Sequence, residues 1–343
     1  MTKSILIVGG NGRMGKIIAN ELVHDYDITI ADVSEAETTA WKHNIHTVKV
    51  DVTDHFWLSS LAKKHDLIVS TLPADISYGP LLSCTGSGKP IIDLSYLPQN
   101  MRTIDQFAKL SGSTVILDTG VAPGLTNLII GHVLGTQEKI ESGKLYVGGV
   151  ATNRHAPYGY RVTWSPTDLL AEYQRPARYI DNKRIVAKPA LSDIEEISII
   201  GAGIMEAFLT DGLRTLLTVE KIDSLVEKTL RWPGHVEQIK PLLEQNTFIE
   251  EITKQCSSGD DMVVLYCNID GRQFSMIEHN KDELTAMQRT TALTCSIFVR
   301  LVAEIGKLPA GVLTPEDIGR NEACYDFIIN NLDSRFNIKI TEE

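Results

Sequence analysis

Over the first 120 residues of this 343-residue chain, short apolar runs alternate with stretches of helical spacing. Ser4–Val8 (SILIV) is apolar and ends in glycines, as a buried parallel strand does. Gly12–Val23 then places Met14, Ile17, Ile18, Leu22 and Val23 on one helical face. Asp27–Ala31 (DITIA) reads as a second strand closed by Asp32. Further strands are expected at His46–Val50, Asp66–Ser70, Pro90–Asp93 and Thr114–Leu117, with helices around 54–64, 76–86 and 100–111. Such alternation builds a doubly wound parallel sheet, an α/β fold. Beyond a helix starting near Leu125 the period changes. Alternating segments at Lys144–Val150, Tyr160–Trp164, Arg178–Ile180, Ser192–Ile200, Met262–Ile269 and Gln273–Glu278 predict a sheet with one covered face. Thr167–Tyr173 follows a Ser-Pro start as a short amphipathic helix. The stripe Ala292, Leu293, Ile297, Phe298, Leu301 and Val302 is expected to be core, and the pair Glu195-Glu196 a solvated face.

Composition narrows the partners. The length suggests about two domains, and 43% hydrophobic residues supply the core for them. With 33 basic against 44 acidic residues the net charge is −11, which argues against nucleic acid. No apolar run is long enough for a membrane helix, and the N-terminus lacks a signal peptide's apolar region. The five cysteines have no CxxC spacing and read as reduced core residues of a cytoplasmic protein, with no metal site.

The candidate chemistry begins at Gly9–Gly15 (GGNGRMG), which contains GxGxxG at Gly10, Gly12 and Gly15. The glycines let the chain turn off the strand, approach a pyrophosphate and pack the helix on the sheet, so Asn11, Arg13 and Met14 would line a dinucleotide. Asp32, with Val33 beside it, is placed to accept from the ribose hydroxyls; its charge disfavours a 2′-phosphate, so NAD is expected over NADP, although Arg13 could accommodate that phosphate. Asp51 and Val52 would flank the adenine, and Thr71-Leu72-Pro73 would lead toward the nicotinamide. Near the ends of the later strands, Asp93 and Asp118 could bind or deprotonate a substrate amine. Either could equally cap its own loop.

Leu117–Asn127 (LDTGVAPGLTN) resembles the D-x-G-x-APG-x-x-N loop of the lysine 6-dehydrogenase branch of the saccharopine dehydrogenase family. The likeness continues through Val147-Gly148-Gly149, Ser165–Tyr173 (SPTDLLAEY), Met205–Phe208 with Thr210, Lys228–Glu237 (KTLRWPGHVE) and Thr285–Ile305. This resemblance implies a Rossmann domain at 1–124 that reclaims about 284–343. It also implies a substrate-binding and dimerisation domain at 125–283, α+β with a mixed, mostly antiparallel sheet. The implied reaction is NAD(P)-dependent oxidation at a C–N bond of an amino acid by a homodimer. The lysine branch deaminates the side-chain amine to aminoadipate semialdehyde. Saccharopine reductases instead reduce the imine formed with glutamate, and they carry Glu at the position of Asp118 and DPG at Ala122–Gly124, so this chain leans to the amine-dehydrogenase branch. It departs from that branch at Asp93–Tyr96, where DLGGH is the pattern, and in the short segment Gln238–Asp261.

In the second half Arg231 offers a planar fork to a substrate carboxylate and His235 a proton or hydrogen bond. Arg161 and Tyr173 are further candidates for the same task. A dihydrodipicolinate reductase is disfavoured by missing signatures. A cofactor-binding redox sensor without catalysis remains the non-enzymatic alternative.

Overall fold

The computed structural model describes residues 2–34, 45–97, 101–306 and 308–343. The chain divides into two compact units, Met1–Leu128 with Thr291–Leu332, and Ile129–Thr290 with Asp333–Glu343.

The first unit contains strands β1 (Ser4–Val8), β2 (Asp27–Asp32), β3 (His46–Lys49), β4 (Leu67–Ser70), β5 (Ile91–Asp93) and β6 (Thr114–Ile116). Between them run helices α1 (Arg13–Leu22), α2 (His55–Ala62), α3 (Ala74–Thr85) and α4 (Met101–Ser111); residue 100, the expected start of α4, lies outside the described residues. Helix α5 (Leu125–Thr136) follows, and it carries the chain across the boundary between the units. Among the described residues all strand pairs of this sheet are parallel, in the order β15-β6-β5-β4-β1-β2-β3. The segment β15 (Gly311–Leu313) comes from the far end of the chain. Order 3-2-1-4-5-6 within that series is the Rossmann arrangement, whose crevice lies beyond the carboxyl ends of β1 and β4. Every residue of β4 is buried, as a strand covered by helices on both faces requires.

The second unit has a mixed sheet. Its strands are β7 (Gly143–Ala151), β8 (Ala177–Asp181), β9 (Arg184–Lys188), β10 (Glu195–Ile199), β11 (Gly203–Leu209), β12 (Leu225–Arg231), β13 (Asp261–Ile269), β14 (Arg272–His279) and β16 (Thr341–Glu342). The order is β10-β11-β12-β7-β13-β14-β16, with β8 and β9 attached beside β12. Among the strand pairs of the described residues, β7 and β12 run parallel and the others are antiparallel. Residues 333–343 join this unit because Thr341–Glu342 pairs with Phe274–Ser275. Helices α6 (Pro166–Gln174), α7 (His235–Glu244) and α8 (Phe248–Gln255) pack through Leu169, Tyr173, Val236, Ile239 and Phe248 around Phe208 of β11. The short helix α9 (Ala286–Gln288) leads into α10 (Thr294–Ile305), and α11 (Pro315–Gly319) and α12 (Glu322–Phe336) close the helical inventory.

Two expectations fail locally. Tyr160–Trp164 is not a strand: Tyr160 is buried in the helical cluster, with Trp164 packed against it, and Val162 makes a single backbone bond to Cys256. The aromatic residues that suggested β structure serve core packing between Gly159 and Pro166. Of the pair Glu195-Glu196, Glu196 is exposed as expected, but Glu195 is partly covered and accepts from Lys228 at 2.9 Å and from the Tyr146 hydroxyl at 3.0 Å.

Candidate functional site

The loop after β1 is held by close approach. A Cβ at Gly15 would lie 2.6 Å from the Gly10 Cα, so only glycine lets α1 start this near the strand. No side chain caps α1, whose N-cap is Gly12. Its first N–H groups are therefore left for an external acceptor, as a pyrophosphate would be. Arg13 is exposed beside them. Asp32 at the end of β2 accepts from the Asn11 N–H (3.0 Å), and from the Ser34 N–H (3.0 Å) and hydroxyl (2.8 Å). Its carboxylate thus fixes the glycine loop. Val33 is exposed, and Asp51 accepts from Thr53, which holds the Asp51 carboxyl below its usual range. Val52 and Leu72 are buried, Thr71 donates to the Val8 and Gly9 carbonyls, and Pro73 is the N-cap of α3. The uncapped helix and the close-packed glycines fit a dinucleotide.

At the ends of β5 and β6 the same unit buries two carboxylates. Asp93 is fully buried and accepts from the Ser95 hydroxyl at 2.6 Å, while its Oδ1 has no hydrogen-bond partner among the described residues. Burial pushes the Asp93 pKa up to about 7; Ser95 works against that, and the neighbouring charge of Asp118 adds to it. Asp118 is also buried, with a positive φ of 58°. Thr119 ties the two loops together through the Asp93 carbonyl (3.1 Å). At Gly124 a Cβ would sit 1.8 Å from the Gly120 carbonyl oxygen, so the Asp118–Gly124 loop closes on itself only with glycine there.

In the second unit Arg231, Tyr173 and His235 are brought together. The Arg231 Nε–H donates to the Tyr173 hydroxyl oxygen at 3.0 Å, and the guanidinium lies 4.9 Å from the centre of the Tyr160 ring. His235 Nδ1 is 2.8 Å from the Tyr158 carbonyl, which can only accept, so Nδ1 carries the proton. Its Nε2 then accepts from the Tyr173 hydroxyl at 3.0 Å. Burial and the Arg231 charge push His235 down to about 3, so the ring is neutral. Arg231 is 3% exposed and has no carboxylate within ion-pair distance among the described residues. Arg161 is not part of this group. It pairs with Asp261 at 3.3 Å, and Asp261 accepts from the Ala286 and Met287 N–H groups at the start of α9.

Sequence reasoning missed Glu206 and Glu172. Glu206 accepts from the Gly234 and Val236 N–H groups at 2.9 and 2.8 Å and thereby fixes the turn that follows Arg231. Glu172 accepts from Thr229 at 2.8 Å. Both sit within quoted motifs, but nothing in their spacing distinguishes them from surface carboxylates.

Two family models match, the saccharopine dehydrogenase NADP-binding domain over residues 5–116 and the saccharopine dehydrogenase C-terminal domain over residues 120–338. The chain belongs to the saccharopine dehydrogenase family. Among curated relatives, the mitochondrial alpha-aminoadipic semialdehyde synthase of Mus musculus is 28% identical over 196 residues, 54% of this chain and 21% of that protein. The saccharopine dehydrogenase [NADP(+), L-glutamate-forming] of Pyricularia oryzae is 27% identical over 211 residues, 57% of this chain and 46% of that protein. The chain therefore spans less than half the length of these relatives. Among solved structures, apo saccharopine dehydrogenase (L-Glu forming) from Saccharomyces cerevisiae superposes with a TM-score of 0.81 at 16% identity, covering 99% of each chain, which shows the family's fold.

Proposed function

We propose that this chain is an NAD(P)-dependent oxidoreductase acting on a C–N bond of an amino acid, by oxidative deamination of the lysine side-chain amine to aminoadipate semialdehyde. The observation that carries this reading is Asp93, a buried carboxyl with a pKa of about 7 beside Asp118 at the end of the Rossmann sheet. A group titrating near the working pH can both take up and return a proton. Asp118, with Asp93, would accept the proton that the amine must lose, and its charge would favour the cationic imine that follows. The bound cofactor would supply the hydride acceptor. Arg231 would hold the substrate α-carboxylate, because a buried guanidinium without an anion is an uncompensated charge. Tyr173 and the neutral His235 would fix the orientation of its fork. Within the cofactor class the relatives' names favour NADP; Arg13 is the cation a 2′-phosphate would meet and Asp32 the charge opposing it.

A second reading, oxidation of saccharopine or the reverse imine reduction, is favoured by the activities for which the relatives are named. The two separate in one assay. The chain is given L-lysine or saccharopine with NAD+ or NADP+, reduced-nicotinamide absorbance is followed, and the product is identified. Cofactor reduction by lysine supports the first reading, and reduction by saccharopine alone moves the assignment to the second. Turnover with neither substrate overturns both.

A further inference from the structure

Strand β12 presents Glu227, Thr229 and Arg231 on one face, since alternate residues of a strand share a face. Neighbours on such a face are about 6.6 Å apart along the strand. The three side chains are buried, yet they are not paired with one another. Above Thr229 lies Glu172 of α6, which accepts from the Thr229 hydroxyl at 2.8 Å, while Thr229 is itself joined to Thr210 at 2.8 Å. The position of the Glu172 carboxylate is thus set by two threonines. No cation lies within ion-pair distance of Glu172 among the described residues, and it is too far from Arg231 for an ion pair, although its charge acts on Arg231 and on Tyr173.

The other nearby carboxylates are accounted for. Asp211 is held by Arg178 through bonds of 2.8 to 3.1 Å, and Glu206 caps the turn at Gly234. Glu227 is 7% exposed, its Oε2 has no hydrogen-bond partner, and it occupies space that a Cβ at Gly212 would fill. Burial, then the charges of Glu172 and Asp211, push Glu227 up to about 8. It is therefore neutral at pH 7, and half-buried Glu172 is the acceptor left for an arriving cation.

We propose that Glu172 binds the α-ammonium group of the same amino-acid end whose α-carboxylate Arg231 holds, so that β12 and α6 form a receptor for an amino-acid zwitterion. This rests on the reading of Arg231 under Proposed function. An anion and a cation that do not pair with each other offer one partner to each charge of an α-amino acid, and a dicarboxylate or a simple amine would satisfy only one of them. Glu172 would then select the substrate without touching the reacting carbon.

The test uses the full chain, with Glu172→Gln, which keeps an acceptor for Thr229, and Thr229→Val, which removes the group that orients Glu172. Turnover is measured with L-lysine and with 6-aminohexanoate, which lacks the α-amino group. Binding is measured by calorimetry with L-2-aminoadipate and with adipate. In the unsubstituted chain lysine and aminoadipate should be preferred over their des-amino counterparts. Glu172→Gln should raise the KM for lysine about 10- to 100-fold, the scale of a lost charge-assisted hydrogen bond. The kcat should change little, and 6-aminohexanoate kinetics should be unaltered. Thr229→Val should give a smaller shift of the same kind. Equal losses for both members of a pair, or a preference retained in Glu172→Gln, would overturn the proposal, as would an unsubstituted chain that shows no preference for aminoadipate over adipate. If aminoadipate binding depends on Glu172 while no lysine is oxidised, the receptor stands and the proposed reaction fails.

Discussion

The hydroxyl of Tyr173 lies 3.0 Å from Nε2 of His235. Because the opposite nitrogen donates to the Tyr158 carbonyl, this contact fixes the ring as a neutral acceptor and turns the phenol oxygen toward Arg231. His235 is thereby a positioning residue for the Tyr173–Arg231 pair.

A neutral buried histidine makes stability depend on pH in a known direction. The unfolded chain takes up a proton near 6.5, but the folded chain holds out to about 3. The stabilising contribution is full above pH 6.5 and is lost as pH falls toward 3, at up to about 1.4 kcal/mol per pH unit. His235→Gln should flatten the urea-midpoint profile across that window. A profile with an unchanged slope would show that His235 is protonated in the folded state.

Asp93 acts in the opposite sense. Its carboxyl keeps a proton in the folded state up to about pH 7, whereas the unfolded chain releases it near pH 4. Stability should fall as pH rises between these values, and Asp93→Asn should remove the slope. In the proposed reaction kcat/KM should rise through an apparent pKa near 7 that belongs to the Asp93–Asp118 pair. Asp118→Asn should lower kcat at least 100-fold, the scale of a lost general base, while dinucleotide affinity stays near that of the unsubstituted chain. Unimpaired turnover in Asp118→Asn would remove it from the catalytic role.

Asp32 has two tasks that one substitution separates. Asp32→Ser removes the charge facing the ribose and should shift the ratio of NADP to NAD affinity toward NADP by roughly tenfold or more, one charge-assisted contact in scale. Because Asn11 and Ser34 also lose their acceptor, affinity for both dinucleotides should weaken. Fluorescence titration with each reduced cofactor reads the ratio. A ratio that does not move means the carboxylate serves only the loop.

Glu206 should matter to stability more than its place on a strand suggests. Glu206→Ala leaves the buried Val236 N–H and the part-buried Gly234 N–H without an acceptor and should cost about 2 kcal/mol in urea unfolding. Glu206→Gln, which keeps one acceptor oxygen, should lose less.

Legibility in the sequence followed the hydrophobic pattern. Strands β1, β4, β5 and β6 are readable because each is an apolar burst bounded by turn residues, and the glycine loop because its spacing is local. Strand β12 was not readable as a strand. Its sequence LVEKTLR puts Glu227, Lys228 and Arg231 where a buried strand should be apolar, and the groups that Lys228 and Arg231 meet, the Asp193 carbonyl, Glu195 and Tyr173, lie up to 58 positions away in the chain. Charged residues buried in partnered positions look the same in sequence as charged residues in water. Arg161 failed for the same reason: its partner Asp261 is 100 residues away. The segment β15 is three residues long and gives no periodic signal.

That short segment has a consequence for synthesis. Among the described residues the outer edge of β6 receives its parallel partner from Gly311–Leu313, through bonds such as Gly311 N–H to the Ser113 carbonyl. Nearly two hundred residues emerge from the ribosome between the two strands. During that interval the nascent Rossmann sheet has an open flank, which closes only once Gly311–Leu313 has been made.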